Sequence, residues 1–138
     1  MSRHLLLDAN VLIALFDADH VHHFHVREWF LHRCKAFATC PIVEGALVRW
    51  IVRIEGQNGF AAAARELEKL AADPRHVFWP DQVPYAQVRR DGVFGHKQVT
   101  DAYLAQLARQ FDGGIATMDR ALAELHEDVA QWLGGQNR

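Results

Sequence analysis

Serine is nearly missing from this chain: Ser2 is the only one among 138 residues. A serine nucleophile therefore has nowhere to sit inside a fold. Cysteine is scarce as well. Cys34 and Cys40 fit no zinc or redox spacing, so they read as reduced core residues, and neither carries a recognisable histidine partner motif for thiol catalysis. No Gly-rich phosphate loop of the dinucleotide or P-loop kind occurs. No segment reaches the ~18 apolar residues of a membrane span. Arg3 and His4 precede an apolar stretch as in a signal peptide, but Asp8 and Asn10 interrupt it and no small-residue cleavage site follows. A cytoplasmic protein is expected. An excess of one charge sign is also lacking: 15 Lys+Arg stand against 17 Asp+Glu, a formal net charge of -2. That balance excludes capture of nucleic acid by an overall positive field. A nucleic-acid substrate would have to be held by a local basic patch and bound metal.

Half of the chain is hydrophobic and 23% is charged, the balance of a folded domain. A single domain over residues 1–133 is expected, with 134–138 as a frayed tail. The first stretch organises the rest. Leu5, Leu6 and Leu7 form an unbroken apolar run, as in a strand buried on both faces of a parallel sheet. Asp8 follows at once, and Val11, Leu12, Leu15 and Phe16 recur with the spacing of a buried helix. A corner of this kind lies at the carboxyl end of a strand, where open α/β sheets gather their ligands. Asp8 taken alone is equally a helix cap.

Further strands are predicted over residues 35–39, 76–79 and 115–117. Helices are predicted over 20–32, 41–52 and 60–73, with a short one opening at Pro84, one beginning at Thr100-Asp101, and a last short one at 121–125. Residues 92–97 read as an irregular loop, and 129–133 suit either an edge strand or a final helical turn. Pro41 fits a first helical position, and Glu44 lies in that helix's first turn, where the dipole favours an acid. Asp101 occupies another first turn. Ile115-Ala116-Thr117-Met118-Asp119 repeats the strand-to-acid corner of Asp8. His20, His22, His23 and His25 crowd one helix start. A zinc site is the tempting reading, yet no cysteine pair or carboxylate completes a ligand spacing, so these histidines are expected at the rim.

Asp8, Glu44, Asp101 and Asp119 thus converge on one edge of a parallel sheet. Gathered carboxylates repel unless a cation neutralises them, and Mg²⁺ is held by a few carboxylates while keeping several waters. Such a site activates water for attack on a phosphodiester. Asn10 and Thr117, each two residues from a corner acid, are placed to support the carboxylates or the attacking water. Asp119→Asn is the substitution expected to relieve repulsion, because Asp8 can also cap its helix.

Leu7-Asp8-Ala9-Asn10-Val11-Leu12, Pro41-Ile42-Val43-Glu44, Val99-Thr100-Asp101-Ala102-Tyr103-Leu104 and Ile115-Ala116-Thr117-Met118-Asp119-Arg120 resemble the signature segments of PIN-domain ribonucleases, above all the VapC toxins of toxin–antitoxin pairs. The likeness covers essentially the whole chain. It implies a three-layer α/β/α fold around a parallel sheet, Mg²⁺- or Mn²⁺-dependent endoribonuclease activity and inhibition by a cognate antitoxin protein. It makes Asp8, Glu44, Asp101 and Asp119 the catalytic and metal-binding acids, with Asn10 and Thr117 supporting. Some members carry a further acid beside the fourth; here Arg120 and Ala121 stand there, leaving that role unfilled or to Glu124. Arg49, Arg53, His96 and Lys97 are the candidate RNA contacts. Trp29, Trp50 or Phe60, if exposed, would suit a homodimer or an antitoxin clamp. Three rivals stand beside this reading: a PIN nuclease of RNA maturation without an antitoxin, a non-catalytic binding module, and a phosphatase using Asp8, which would want a second Asp where Asn10 stands.

Overall fold

The computed structural model describes residues 3–134. Its elements, in chain order, are β1 (Leu5–Leu7), α1 (Ala9–Phe16), α2 (His23–His32), β2 (Phe37–Thr39), α3 (Pro41–Glu55), α4 (Gly59–Ala72), β3 (His76–Phe78), α5 (Val99–Gln110), β4 (Gly114–Thr117), α6 (Arg120–Leu125) and β5 (Ala130–Trp132). The five strands make one all-parallel sheet in the order β3-β2-β1-β4-β5. Right-handed crossovers from β1 out to β3 and then back across to β5 put α1–α4 on one face and α5 and α6 on the other. The result is the expected three-layer α/β/α architecture.

The short apolar strands explain themselves by burial. Leu6, Leu7, Phe37, Ala38, Ile115 and Ala116 have no exposed surface, as strands covered on both faces require. Against them pack Val11 and Leu12 of α1, Val43, Leu47 and Ile51 of α3, and Leu104 and Leu107 of α5, joining one hydrophobic core. Cys34 and Cys40 are free and buried, as expected.

Element boundaries depart from the sequence expectation in a few places. Helix α2 starts at His23 rather than at 20, because Asp17 accepts from the Asp19 amide and His20 Nδ1 from the His22 amide, holding that stretch in turns. Strand β2 begins at Phe37 because its register with β1 starts opposite Leu5. Helix α3 runs on to Glu55, ending only where Gly56 takes a φ of 72°. Pro84 opens a 3₁₀ turn, Tyr85–Gln87, rather than a helix. Residues 96–98 form another 3₁₀ turn leading straight into α5, with the Gln98 side chain accepting from the Phe94 and Gly95 amides. Residues 129–133 resolve into the edge strand β5, whose register with β4 sets Trp132 opposite Thr117. Of the tail expected to fray, Gly134 is described as a half-buried residue after β5, and 135–138 lie outside the described residues.

Two polar anchors tie the layers. Arg75 pairs with Asp73, donates to the carbonyls of Phe30 and Cys34 and lies over the Phe30 ring, so it closes the end of α2 against β3. Arg109 of α5 donates to both Asp128 oxygens and to Nδ1 of the buried His126, clamping α5 to the turn before β5. That pairing holds the Asp128 carboxyl down at about 2.

The tightest close approach that needs glycine is at Gly113. A Cβ at Gly113 would stand 2.5 Å from the His4 carbonyl oxygen and 2.6 Å from Trp79, whose indole stacks on Phe111. Gly113→Ala should therefore cost about 1–3 kcal/mol, a fall of roughly 3–12 °C in Tm for a chain of this length. Gly95→Ala, with nothing nearer than 4.0 Å, should melt like the parent. Equal melting of both variants would contradict the packing described.

Candidate active site

Strand order sets the place. The chain leaves β1 toward β2 on one side and later returns to add β4 on the other, so the connections diverge between β1 and β4. With the connections leaving to opposite sides, the carboxyl ends of those strands bound the crevice in which open parallel sheets usually take their ligands. Asp8 follows β1 directly, Asp119 lies two residues past β4, and Asp101 sits in the first turn of α5.

Asp8 is buried, and each of its oxygens is held: Oδ1 accepts from the Ala9 amide at 2.8 Å and Oδ2 from the Thr117 hydroxyl at 2.7 Å. It caps α1, so the structural role foreseen for it is real. Burial nevertheless pushes its carboxyl up from the usual range, against the lowering effect of those bonds, and the charge of Asp119 adds to the rise. Thr117 is fully buried; its oxygen also accepts from the Asp119 amide at 2.9 Å. The two corner acids thus share one hydroxyl. Asp119 caps α6, its Oδ1 accepting from the amides of Ala121 and Leu122. Asn10 does not hold a carboxylate. Its Oδ1 accepts from the Met118 amide at 3.1 Å, fixing the corner that carries Asp119.

Asp101 differs from the other two. Its carboxylate has no hydrogen-bond or ion-pair partner among the described residues. Burial first, then the charges of Asp8 and Asp119, push it up to about 6. Asp8, Asp101 and Asp119 therefore feel one another across the crevice.

Glu44 is held differently. Its Oε2 accepts from the Thr39 hydroxyl at 2.6 Å, and the same Thr39 oxygen lies 2.8 Å from His76 Nε2. The charges acting on Asp8 and Asp101 are those of the other aspartates, and Glu44 acts instead on His76 and Cys40. Burial holds the His76 imidazole below its ordinary value, with Glu44 pulling the other way. Among the described residues no three His, Cys, Asp or Glu side chains stand close enough to form a finished metal shell. The structure brings together three of the four expected acids and sets the fourth against a threonine and a histidine.

Thr39 and His76 were not foreseen as site residues. A signal for Thr39 exists: Phe37-Ala38-Thr39 closes β2 as Ile115-Ala116-Thr117 closes β4, each ending on a buried threonine whose hydroxyl serves an acid. His76 had no local signal, because only the β2–β3 pairing brings it to Thr39.

The remaining candidates scatter. His96 and Lys97 occupy the 3₁₀ turn entering α5, five and four positions before Asp101. Arg49 lies one turn beyond Gly45, and a Cβ on that glycine would stand 3.6 Å from its guanidinium. Arg53, in the last turn of α3, lies about 13 Å along the helix from Glu44. Glu124 pairs with Arg120 at 3.2 Å, and that arginine also lies over the Trp132 ring. His23 and His25 bond the carbonyl oxygens of Ala14 and Leu133, so two of the clustered histidines tether α2 to its neighbours. Trp29 is buried rather than exposed, Trp50 is half-buried edge-on to Phe16, and Phe60 is exposed. No helix among the described residues is long and apolar enough to cross a membrane.

The chain is similar to known proteins. The profile of the PIN domain matches residues 5–128. Ribonuclease VapC29 of Mycobacterium tuberculosis (strain ATCC 25618 / H37Rv) is 55% identical over 127 residues, covering 91% of this chain and 93% of the relative. Ribonuclease VapC39 of the same organism is 38% identical over 128 residues, covering 86% and 91%. Among solved structures, FitAcB from Neisseria gonorrhoeae superposes with a TM-score of 0.68 at 21% identity, over 93% of this chain and 96% of that one. The Mycobacterium tuberculosis VapC20 toxin, described as cleaving the Sarcin-Ricin loop, gives 0.66 at 16% identity over 87% and 93%. At those identities the two structures speak for the fold, while the profile and the ribonucleases speak for kinship. The chain belongs to the PIN domain family.

Proposed function

We propose that this chain is a metal-dependent endoribonuclease, the toxin of a toxin–antitoxin pair, working in the cytoplasm. One observation carries the reading: three carboxylates at the switch point of the sheet act on one another, and the least tethered of them, Asp101, is pushed up to about 6 with no ion-pair partner among the described residues. A structural acid normally acquires a hydrogen bond or a cationic partner. This one has neither among the described residues. The 55% identity to a protein named a ribonuclease supports the same conclusion.

The donor set fits Mg²⁺ or Mn²⁺. Its oxygens are hard ligands, and Mg²⁺ binds through one or two carboxylates while retaining waters, so a closed protein shell is not required. Asp8, Asp101 and Asp119 would hold the ion, with Glu44 the fourth acid of the site. When bound, the ion lowers the pKa of water and neutralises charge on the phosphodiester. The chain's own residues do the rest. Thr117 and the Ala9 amide fix the Asp8 carboxylate, Asn10 and the start of α6 fix the Asp119 corner, and Asp101 keeps an untethered carboxylate to receive or orient a proton-bearing group. His96 and Lys97, at the entrance to α5, are assigned to the RNA backbone, with Arg49 and Arg53 farther along α3. Single-stranded or looped RNA is the substrate class, because its backbone and bases can be splayed into a shallow crevice.

Structured RNA incubated with the protein and Mg²⁺ or Mn²⁺ should be cut internally, chelator should stop the cutting, and Asp101→Asn should lower the rate by at least about 100-fold. Cleavage that persists in chelator or in Asp101→Asn would reject the proposal.

The antitoxin is expected to place an arginine against the acids, pairing bidentately as the cation would. Exposed apolar side chains such as Phe24, Phe60 and Phe94 offer contact area for it or for a second copy of the chain. Expression of the protein alone should arrest growth, and co-expression of the neighbouring reading frame should restore it. Normal growth with a demonstrably active protein would remove the toxin assignment.

Electrostatic relief is expected at Asp101 rather than at Asp119. Asp119 caps α6 through two amides, whereas Asp101 caps nothing. Because Asp101 titrates near 6 when folded against an ordinary 3.8, folding favours its protonated form. That stabilisation is complete below pH 3.8 and lost as the pH rises through 6. In chelator, Asp101→Asn should therefore out-melt the parent at pH 7.5 by about 1–4 °C, allowing for its partial exposure, and by less at pH 5. A margin that shrinks toward pH 7.5 would mean that the carboxylates do not repel. Mg²⁺ should raise the parent's Tm more than the variant's.

A further inference from the structure

The Thr39 hydroxyl has one proton and two neighbours. Glu44 Oε2 lies 2.6 Å away and His76 Nε2 lies 2.8 Å away. A carboxylate can only accept, so the proton points to Glu44. Nε2 of His76 must then be the protonated nitrogen, donating to the Thr39 oxygen. The chain of donors runs one way, from His76 through Thr39 to Glu44. Its middle member is fully buried at the end of β2, and its first is fixed by the pairing of β3 with β2 and by the Phe37 ring, 5.3 Å away.

If His76 instead carried its proton on Nδ1, its bare Nε2 would compete for the hydroxyl proton and Glu44 would lose its donor. The tautomer of one histidine therefore decides whether the Glu44 carboxylate is held. With Oε2 occupied, Oε1 is the oxygen left without a protein partner among the described residues.

We propose that His76 is a positioning residue for Glu44: by donating from Nε2 to Thr39 it commits the threonine proton to the carboxylate and leaves Oε1 free to serve the acidic site. The proposal rests on the reading of Glu44 as a member of that site. The same device operates at the other corner, where the Thr117 hydroxyl donates to Asp8 and accepts from the Asp119 amide. At β4 the second partner is backbone and cannot change; at β2 it is a side chain that substitution can alter.

The test is Mn²⁺ affinity of the intact protein, read from the free-ion electron paramagnetic resonance signal without any substrate. Glu44→Gln should weaken binding severalfold or more. His76→Leu and Thr39→Val should each weaken it by about tenfold, the usual cost of losing a partner behind a ligand. His76→Gln, whose amide nitrogen can stand where Nε2 stood, and Thr39→Ser should bind within about twofold of the parent, since each keeps the donor. If Glu44→Gln weakens binding but His76→Leu does not, the positioning role is overturned while Glu44 keeps its place. If Glu44→Gln binds Mn²⁺ like the parent, the assignment of Glu44 to the site falls, and this proposal with it. A second measurement needs no folded variant at position 39. The ¹⁵N chemical shifts of His76, assigned by their loss in His76→Gln, should show a protonated Nε2 in the metal-free protein; a tautomer protonated on Nδ1 alone would overturn the proposal.

Discussion

A single hydroxyl joins the two halves of this protein's chemistry. Thr117, fully buried at the end of β4, donates to Asp8 at the end of β1 and accepts from the amide of Asp119. The hydrogen bond crosses the seam where the strand connections diverge. It holds two acids in register across that seam, each of which also caps the helix behind it. Without a donor, the buried Asp8 carboxylate would carry an uncompensated desolvation cost. With it, the charge is kept in place although burial still raises its pKa. Sheet topology and site chemistry meet in that bond.

The acids divide by how they are held. Asp8 and Asp119 are tethered by amides and a hydroxyl, so they serve the scaffold as helix caps. Asp101 is tethered by nothing among the described residues and bears the repulsion of both. Glu44 is tethered through Thr39 to His76. Three aspartates of which two are fixed and one is free are poorly explained by folding stability alone, since relieving their repulsion would favour the folded state. The strain makes sense if a cation or a cationic partner group occupies the crevice when the protein works.

The histidine-rich start of α2 shows how a chemical-looking motif can be structural. His23 and His25 bond backbone carbonyls of α1 and of the residue following β5, so they bind the rim of the fold together. Val26, Trp29 and Phe30 form the inward stripe of α2, so Trp29 lies in the core and offers no contact surface.

What the sequence determined by itself was the set of local facts: apolar runs too short for anything but buried strands, acids placed directly after them, and a helix opened by Pro41 with Glu44 in its first turn. Those patterns follow from the chain's own periodicity and capping chemistry, and they pointed to a parallel sheet with acids at its strand ends and Thr117 beside one of them; the three layers were implied by the resemblance to PIN domains. Tertiary structure decided everything that depends on which strand lies beside which. It put Asp101 next to Asp8 and Asp119, gave the Met118 amide to Asn10, made an edge strand of residues 130–132, and carried His76 to Thr39 across a pairing of residues 37 positions apart. The reason is physical: a hydrogen bond between strands, or a charge felt across a crevice, has no signature in the spacing of the residues that make it.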